Sequence, residues 1–168
     1  CAEGVSGFVV GDISIGNGAG SNFQTKCSSV YTATITPAAD GAVTIDVGAD
    51  VATDAATNTN TAATQLSVTN DETKPTVTIT SDASNPQSGA FTATFTFSEA
   101  VTGFVIGDIT IDNGAVSNFQ TTSASVYTAT ITSVAVVETT VYIAADKAAD
   151  AAENNNQAAT DLTVTDDK

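Results

Sequence analysis

One stretch of 22 residues occurs twice, and that repetition limits what the chain can fold into more than any other feature. Glu3 to Gln24 reads EGVSGFVVGDISIGNGAGSNFQ, and Glu99 to Gln120 reads EAVTGFVIGDITIDNGAVSNFQ. The same offset of 96 residues, which aligns Phe8 with Phe104, runs without a gap from Cys1/Phe97 to Glu72/Lys168. More than half of the aligned pairs are identical. Self-similarity at a fixed period marks repeated structural units. A period of this length holds a whole small domain rather than one solenoid turn. The 168 residues therefore divide into an N-terminally incomplete repeat, 1–72, and a complete repeat, 73–168. The second copy carries a preamble, Lys74 to Thr96 (KPTVTITSDASNPQSGAFTATFT), for which the first has no equivalent before Cys1. The expectation is a piece of a longer array, cut inside a domain at its front end.

Threonine alternates with bulky apolar residues through both copies. In PTVTIT (75–80), Val77 and Ile79 share one face. In FTATFTF (91–97) the set is Phe91, Ala93, Phe95 and Phe97, and in VYTATIT (126–132) it is Tyr127, Ala129 and Ile131. Period-two patterns of this kind are half-buried strands with a polar outer face. Turn signals separate them, among them Ser84-Asn85-Pro86 and Asp112-Asn113-Gly114. The strands expected in the second repeat are A at 75–80, B at 91–97, C at 104–111, D at 115–120, E at 126–132, F at 139–144 and G at 160–165. Strands C and D are expected to build core from Phe104, Ile106, Ile109, Ile111 and Phe119. The first repeat keeps C to G at 8–15, 19–24, 30–36, 42–47 and 64–69, without A and most of B. Seven short strands in about ninety residues predict an all-β fold, a tandem of antiparallel β-sandwiches. The alanine-rich stretch 144–152 is read as a loop rather than a helical turn. A first sandwich without A and B exposes core and a sheet edge.

The chain carries 4 basic and 19 acidic residues, a net charge of −15. Such a surface repels nucleic acid and anionic membranes and suits divalent cations. With 42% hydrophobic residues in regular alternation the chain is expected to fold despite its charge. No apolar run is long enough to insert in a membrane as a helix. There is no histidine, no phosphate-binding glycine loop and no nucleophile motif, so no enzyme site is expected.

The order F-S-E-A-V-T-G-F, G-D-I-T-I-D-N-G-A-V-S-N-F, V-Y-T-A-T-I-T and A-A-D-A-A-E-N-N-N resembles the bacterial immunoglobulin-like repeats of very large surface adhesins and other secreted multidomain proteins. The resemblance covers all of the second repeat and what remains of the first. It implies seven-stranded immunoglobulin-like sandwiches, tandem extension from a cell surface, and calcium at the junctions between repeats. The family's usual loop has glycine where Thr57 and Glu153 stand.

Strand direction puts the B–C loop, the D–E turn and the F–G loop at one pole. Glu99 is in the first of these, and Asp146, Asp150, Glu153, Asn154 and Asn156 are in the last. The segment Asn70 to Thr73 arrives at the same pole. A hard dication takes six to eight oxygens from carboxylates, amides and carbonyls. The candidate Ca²⁺ ligands are Glu99, Asp150, Asp71 and Asn154, with Asp146 or Asn156 as additions. Glu3, Asp50, Asp54, Asn58 and Asn60 are the matching set for a junction ahead of the first repeat. The alternative is a group of solvated loop acids.

Cys1 and Cys27 have no counterparts in the second repeat. Inward parity on neighbouring strands B and E makes a disulfide between them feasible, with two free thiols as the alternative. An N-terminal lipid on Cys1 is disfavoured by its place inside a strand. The threonine ladders suit an exposed sheet face better than an ice-binding or glycan-bearing array. The functional expectation is an extracellular or cell-surface spacer of an adhesin-like protein, rigidified by calcium, with adjacent repeats of the same protein as partners. The alternative is a subunit of an extracellular filament, in which a strand from a neighbouring subunit completes the first sandwich.

Overall fold

Where threonine alternates with a bulky apolar residue, every second side chain points to one face, and that face can be buried. The structure, a computed structural model, describes residues 3–134 and 136–167. The chain divides into two compact units, Cys1–Glu72 and Thr73–Lys168. The first unit contains a short 3-10 turn, Val10–Asp12, and the strands β1 Ile13–Gly16, β2 Gly18–Cys27, β3 Val30–Pro37, β4 Gly41–Val47 and β5 Leu66–Asn70. These form one antiparallel sheet in the order β1-β4-β5 and a two-stranded sheet β2-β3.

The second unit contains β6 Val77–Ser81, β7 Phe91–Phe97, a 3-10 turn Ile106–Asp108, β8 Ile109–Asp112, β9 Gly114–Thr121, β10 Val126–Ser133, β11 Glu138–Ile143 and β12 Leu162–Thr165. One sheet has the order β6-β7-β10-β9 and the other β12-β11-β8, all neighbours antiparallel. In strand letters this is A-B-E-D facing G-F-C, the arrangement of a constant-type immunoglobulin sandwich. The all-β expectation holds. The core lies between the sheets and is dominated by Phe91, Phe95 and Phe97 of β7, Tyr127 and Ile131 of β10 and Val141 of β11. On the outer face threonines meet across strands: Thr94 sits between Thr80 and Thr128, and Thr96 faces Thr78.

The sequence reading of strand C needs correction. It does not run from 104 to 111. Residues 106–108 form a 3-10 turn, and the strand begins at Ile109. The Asp108 carboxylate accepts a hydrogen bond from the Val105 amide at 2.9 Å, so a local side-chain-to-backbone bond displaces the sheet ladder. Ile106, expected in the core, is 41% exposed as a result. The first unit repeats this geometry, with Asp12 accepting from the Val9 amide at 2.8 Å.

The S-N-F-Q motif makes a β-bulge. The pairing of β10 with β9 shifts between Thr128 and Thr130, and Asn118 takes a positive φ of 49°. The bulge turns Phe119 onto Tyr127, stacked with centroids 5.7 Å apart. Asn22, Phe23 and Tyr31 copy the arrangement at the same separation. Between β8 and β9, Asn113 occupies the left-handed region (φ 60°) and Gly114 follows. A Cβ on Gly114 would sit 2.8 Å from the Ile111 side chain and 3.1 Å from the Thr132 carbonyl, so only glycine fits that corner. Residues 144–161 form a loop, tied down by bridges from Ala149 to Thr102 and to Asn155.

Candidate metal centre

The F–G loop of the second unit is held by two side chains of the D-A-A-E-N-N-N motif. Asn156 is 1% exposed. Its Oδ1 accepts from the Lys147 and Ala148 amides, each at 2.8 Å, while its Nδ2 donates to the Ala144 and Gln157 carbonyls at 3.1 and 2.7 Å. Four bonds at one amide make Asn156 a clasp across the loop, and its oxygen is already doubly engaged. The sequence reading named it only as an additional cation ligand.

Asp150 is also buried, at 5% exposure. Its Oδ1 accepts from the Ala152 and Asn154 amides at 2.8 and 2.9 Å, and its Oδ2 from Asn154 Nδ2 at 2.9 Å. Burial pushes its pKa up, but hydrogen bonds from the Asn154 side chain and from the Asn154, Ala152 and Glu153 backbone outweigh it, so the carboxyl titrates below its ordinary value. Most of the acceptor capacity of this carboxylate is therefore already used within its own loop. The turn after Asp150 closes without glycine. Glu153 adopts φ 69°, and its amide donates to the Asp150 carbonyl at 3.4 Å.

Three loops meet beside Asp150. Thr102 in the B–C loop exchanges backbone hydrogen bonds with Ala149 at 2.8 and 3.0 Å. The Tyr127 hydroxyl donates to the Val101 carbonyl at 3.2 Å and lies 3.4 Å from that of Ala124, tying the B–C loop to the D–E turn. Glu99, half-buried, leaves this loop with a carboxylate oxygen within 4.8 Å of one from Asp150. Two acids on different loops are thus brought close together, and carboxylate oxygens are the donors a hard cation takes. Asp146, with φ 62°, instead rims a shallow pocket lined by Thr102, Gly103 and Ala148. Asp71 belongs to the first unit, where it follows β5 and is half-buried. The next amide, Glu72 N, donates to Asp40 at 2.7 Å.

The first unit builds the same loop. Asp54 Oδ1 accepts from the Ala56 and Asn58 amides at 2.8 Å each, and Oδ2 from Asn58 Nδ2 at 2.8 Å. The Asn58 side chain, then its backbone, lowers the Asp54 pKa. Asn60 bridges Val51, Ala52, Gly48 and Thr61 as Asn156 does its counterparts. Thr57 takes the same positive φ of 69°. Asp50 accepts a short hydrogen bond from the Thr59 hydroxyl, and Glu3 is exposed. Among the described residues of this unit, no three carboxylates are gathered.

Cys27 is the last residue of β2, paired with Val30, and its sulfur lies 3.5 Å from the Ser29 hydroxyl. The expected disulfide partner, Cys1, lies outside the described residues. The roles of Asn156 and Tyr127 were missed in the sequence. The signal for Tyr127 was available: a tyrosine at an inward strand position needs a hydrogen-bond partner for its hydroxyl.

No helix among the described residues is long and apolar enough to cross a membrane. No curated protein and no solved structure matches the chain. A family model described as the bacterial Ig-like domain matches residues 1–69 and again 71–165. The chain thus belongs to the bacterial Ig-like domain family, typically non-enzymatic structural modules that usually occur in surface or secreted proteins of bacteria.

Proposed function

We propose that this chain is a spacer of an extracellular adhesin-like array, stiffened when Ca²⁺ binds acids near the boundary between its repeats. The observation that carries the reading is the pair Glu99 and Asp150, whose carboxylate oxygens come within 4.8 Å of each other in a chain of net charge −15. Asp150 arrives ionised and fixed by its own loop, so little ordering cost remains at binding. Asp71 is the third proposed ligand. It stands two residues before Thr73, where the second unit begins, and the segment that carries it is short. The Asn154 amide, backbone carbonyls and water complete the oxygen set that calcium takes. Like charges gathered without a cation repel and loosen a linker, and a bridging dication reverses that. Pro75, buried at the start of the second unit, restricts the backbone just after the linker.

Titration calorimetry with millimolar CaCl₂ on the whole chain tests the site. Saturable binding is expected, together with a rise in the melting temperature, and both vanish in the double variant Glu99→Gln/Asp150→Asn. X-ray scattering tests the spacer role, with a longer maximum dimension expected in calcium than in chelator. Identical profiles at saturating calcium would remove the stiffening role even if the ion binds.

A further inference from the structure

Around the turn between β3 and β4 the first repeat reads PAADGA (37–42), and the second reads SVAVVE at the aligned positions 133–138. In the first unit this turn holds the chain that leaves β5. The Glu72 amide donates to Asp40 Oδ1 at 2.7 Å, and Asn70 Nδ2 donates to the Ala39 carbonyl at 3.2 Å. A bond from an amide to an ionised carboxylate is stronger than one between neutral groups. The turn is itself anchored to the corner between β1 and β2. Asn17 Nδ2 donates to the same Ala39 carbonyl at 2.9 Å, and the Ala38 amide donates to the Asn17 carbonyl at 3.0 Å. Gly41 follows at φ 116°, a conformation that favours glycine, and its counterpart is Val137.

The second unit does not repeat this arrangement. Asp40 is matched by Val136 and Asn70 by Asp166, so the acceptor is lost at the one and the donor at the other. Asn113, the counterpart of Asn17, donates to the Glu138 carbonyl instead, at 3.0 Å. The chain leaving β12 is secured by a different bond, from the Asp167 amide to the Gln87 carbonyl at 2.8 Å. The second unit does fasten the chain that enters it. Pro75 is fully buried, and its carbonyl accepts from the Gln157 amide at 2.8 Å. The Thr76 amide donates to Ser98 Oγ at 3.0 Å, and the Ser98 amide donates to the Thr76 carbonyl at 2.9 Å.

We infer that Asp40 is a clamp on the segment leaving the first repeat, and that it stiffens the linker without calcium. The first unit holds Glu72 and the second holds Pro75. Bending of the chain is then confined to the stretch around Thr73 and Lys74. Each residue carries only two soft backbone dihedrals, so a stretch this short has few ways to bend. Opening the Asp40 bond adds Asp71 and Glu72 to it. This inference rests on the spacer reading, and it gives the first repeat a means of stiffening other than the cation.

Amide exchange and backbone NMR relaxation on the whole chain, in excess chelator, test the clamp. Asp40→Ala is expected to speed exchange of the Glu72 amide about tenfold, and to shorten the rotational correlation times of both units. Asp40→Asn keeps a side-chain oxygen to accept the bond and should change that exchange by less than about threefold. Asp40 is exposed, so exchange in β3 and β4 should stay as in the parent chain. Unchanged Glu72 exchange in Asp40→Ala, or equal acceleration by the two variants, would overturn the clamp. Acceleration spread over β3 and β4 would also overturn it, since it marks loss of the turn rather than of one bond. Faster Glu72 exchange with unchanged correlation times would overturn the stiffening role. Adding calcium then separates the two readings. Correlation times that calcium does not lengthen remove the cation's role and leave the clamp, whereas loss of the Asp40 effect removes the clamp and leaves the cation.

Discussion

Strands β3 and β10 read VYTATITP and VYTATITS, and differ only at their last residue. Their surroundings differ far more. Tyr127, Ala129 and Ile131 are 5%, 1% and 0% exposed, while Tyr31, Ala33 and Ile35 are half-exposed. The bulge with its left-handed asparagine and the aromatic triangle are the same in both, though β2 runs on to Cys27 through a second register shift. Local structure is therefore written in the strand and its hairpin partner. Burial is not, because it depends on whether β6 and β7 close the sheet. In energetic terms, a side chain gains its roughly 1.5–3 kcal/mol of hydrophobic stabilisation only when a neighbour excludes water from it.

The largest effect expected from this contrast is at the paired isoleucines. Ile131→Ala should destabilise the second unit by about 2–5 kcal/mol, because it leaves a cavity in a closed core. Ile35→Ala should destabilise the first by about 1 kcal/mol, since that side chain already borders open space. Denaturant unfolding read by residue-resolved hydrogen exchange separates the two, and equal losses would break the comparison.

The loop clasps come next. Asn156→Ala strands buried backbone groups and should cost about 2–3 kcal/mol, whereas Asn60→Ala, in a half-exposed setting, should cost about 1 kcal/mol. Exchange rates at Ala148 and Ala52 report each loop directly. The family's glycine offers a smaller gain. Thr57→Gly and Glu153→Gly relieve left-handed strain and should each stabilise by about 1 kcal/mol or less, after the entropy of glycine is counted. Thr57, which is β-branched, should gain more, and a shift in the denaturation midpoint measures it.

The smallest effect is in acid. Asp150 and Asp54 both titrate below the ordinary carboxylate value in the folded chain. A depressed folded pKa contributes stability above the unfolded value, lost as pH falls through the folded one. Both loops should therefore lose stability in acid, starting as pH falls through the ordinary aspartate value and ending below the depressed one. NMR titration of the two carboxyls checks this. Ordinary values for both would mean that the loop hydrogen bonds do not hold the ionised form.

The sequence by itself determined the strands, because a two-residue period leaves each segment one face to bury and the duplication shows that pattern twice. It also determined which loops share a pole, since antiparallel strands alternate direction; Glu99 and Asp150 meet for that reason. Tertiary structure alone decided the rest. The reading of Ile106 as core failed because Asp108 captures the Val105 amide and turns the chain before the strand starts. The acids and amides of the F–G motif looked like an inventory of cation ligands, yet Asn156 is fully engaged in the loop and Asp150 spends most of its acceptor capacity there. Composition counts oxygens. Only the fold says which of them already have a hydrogen to accept, and which strand edge has gained a neighbour.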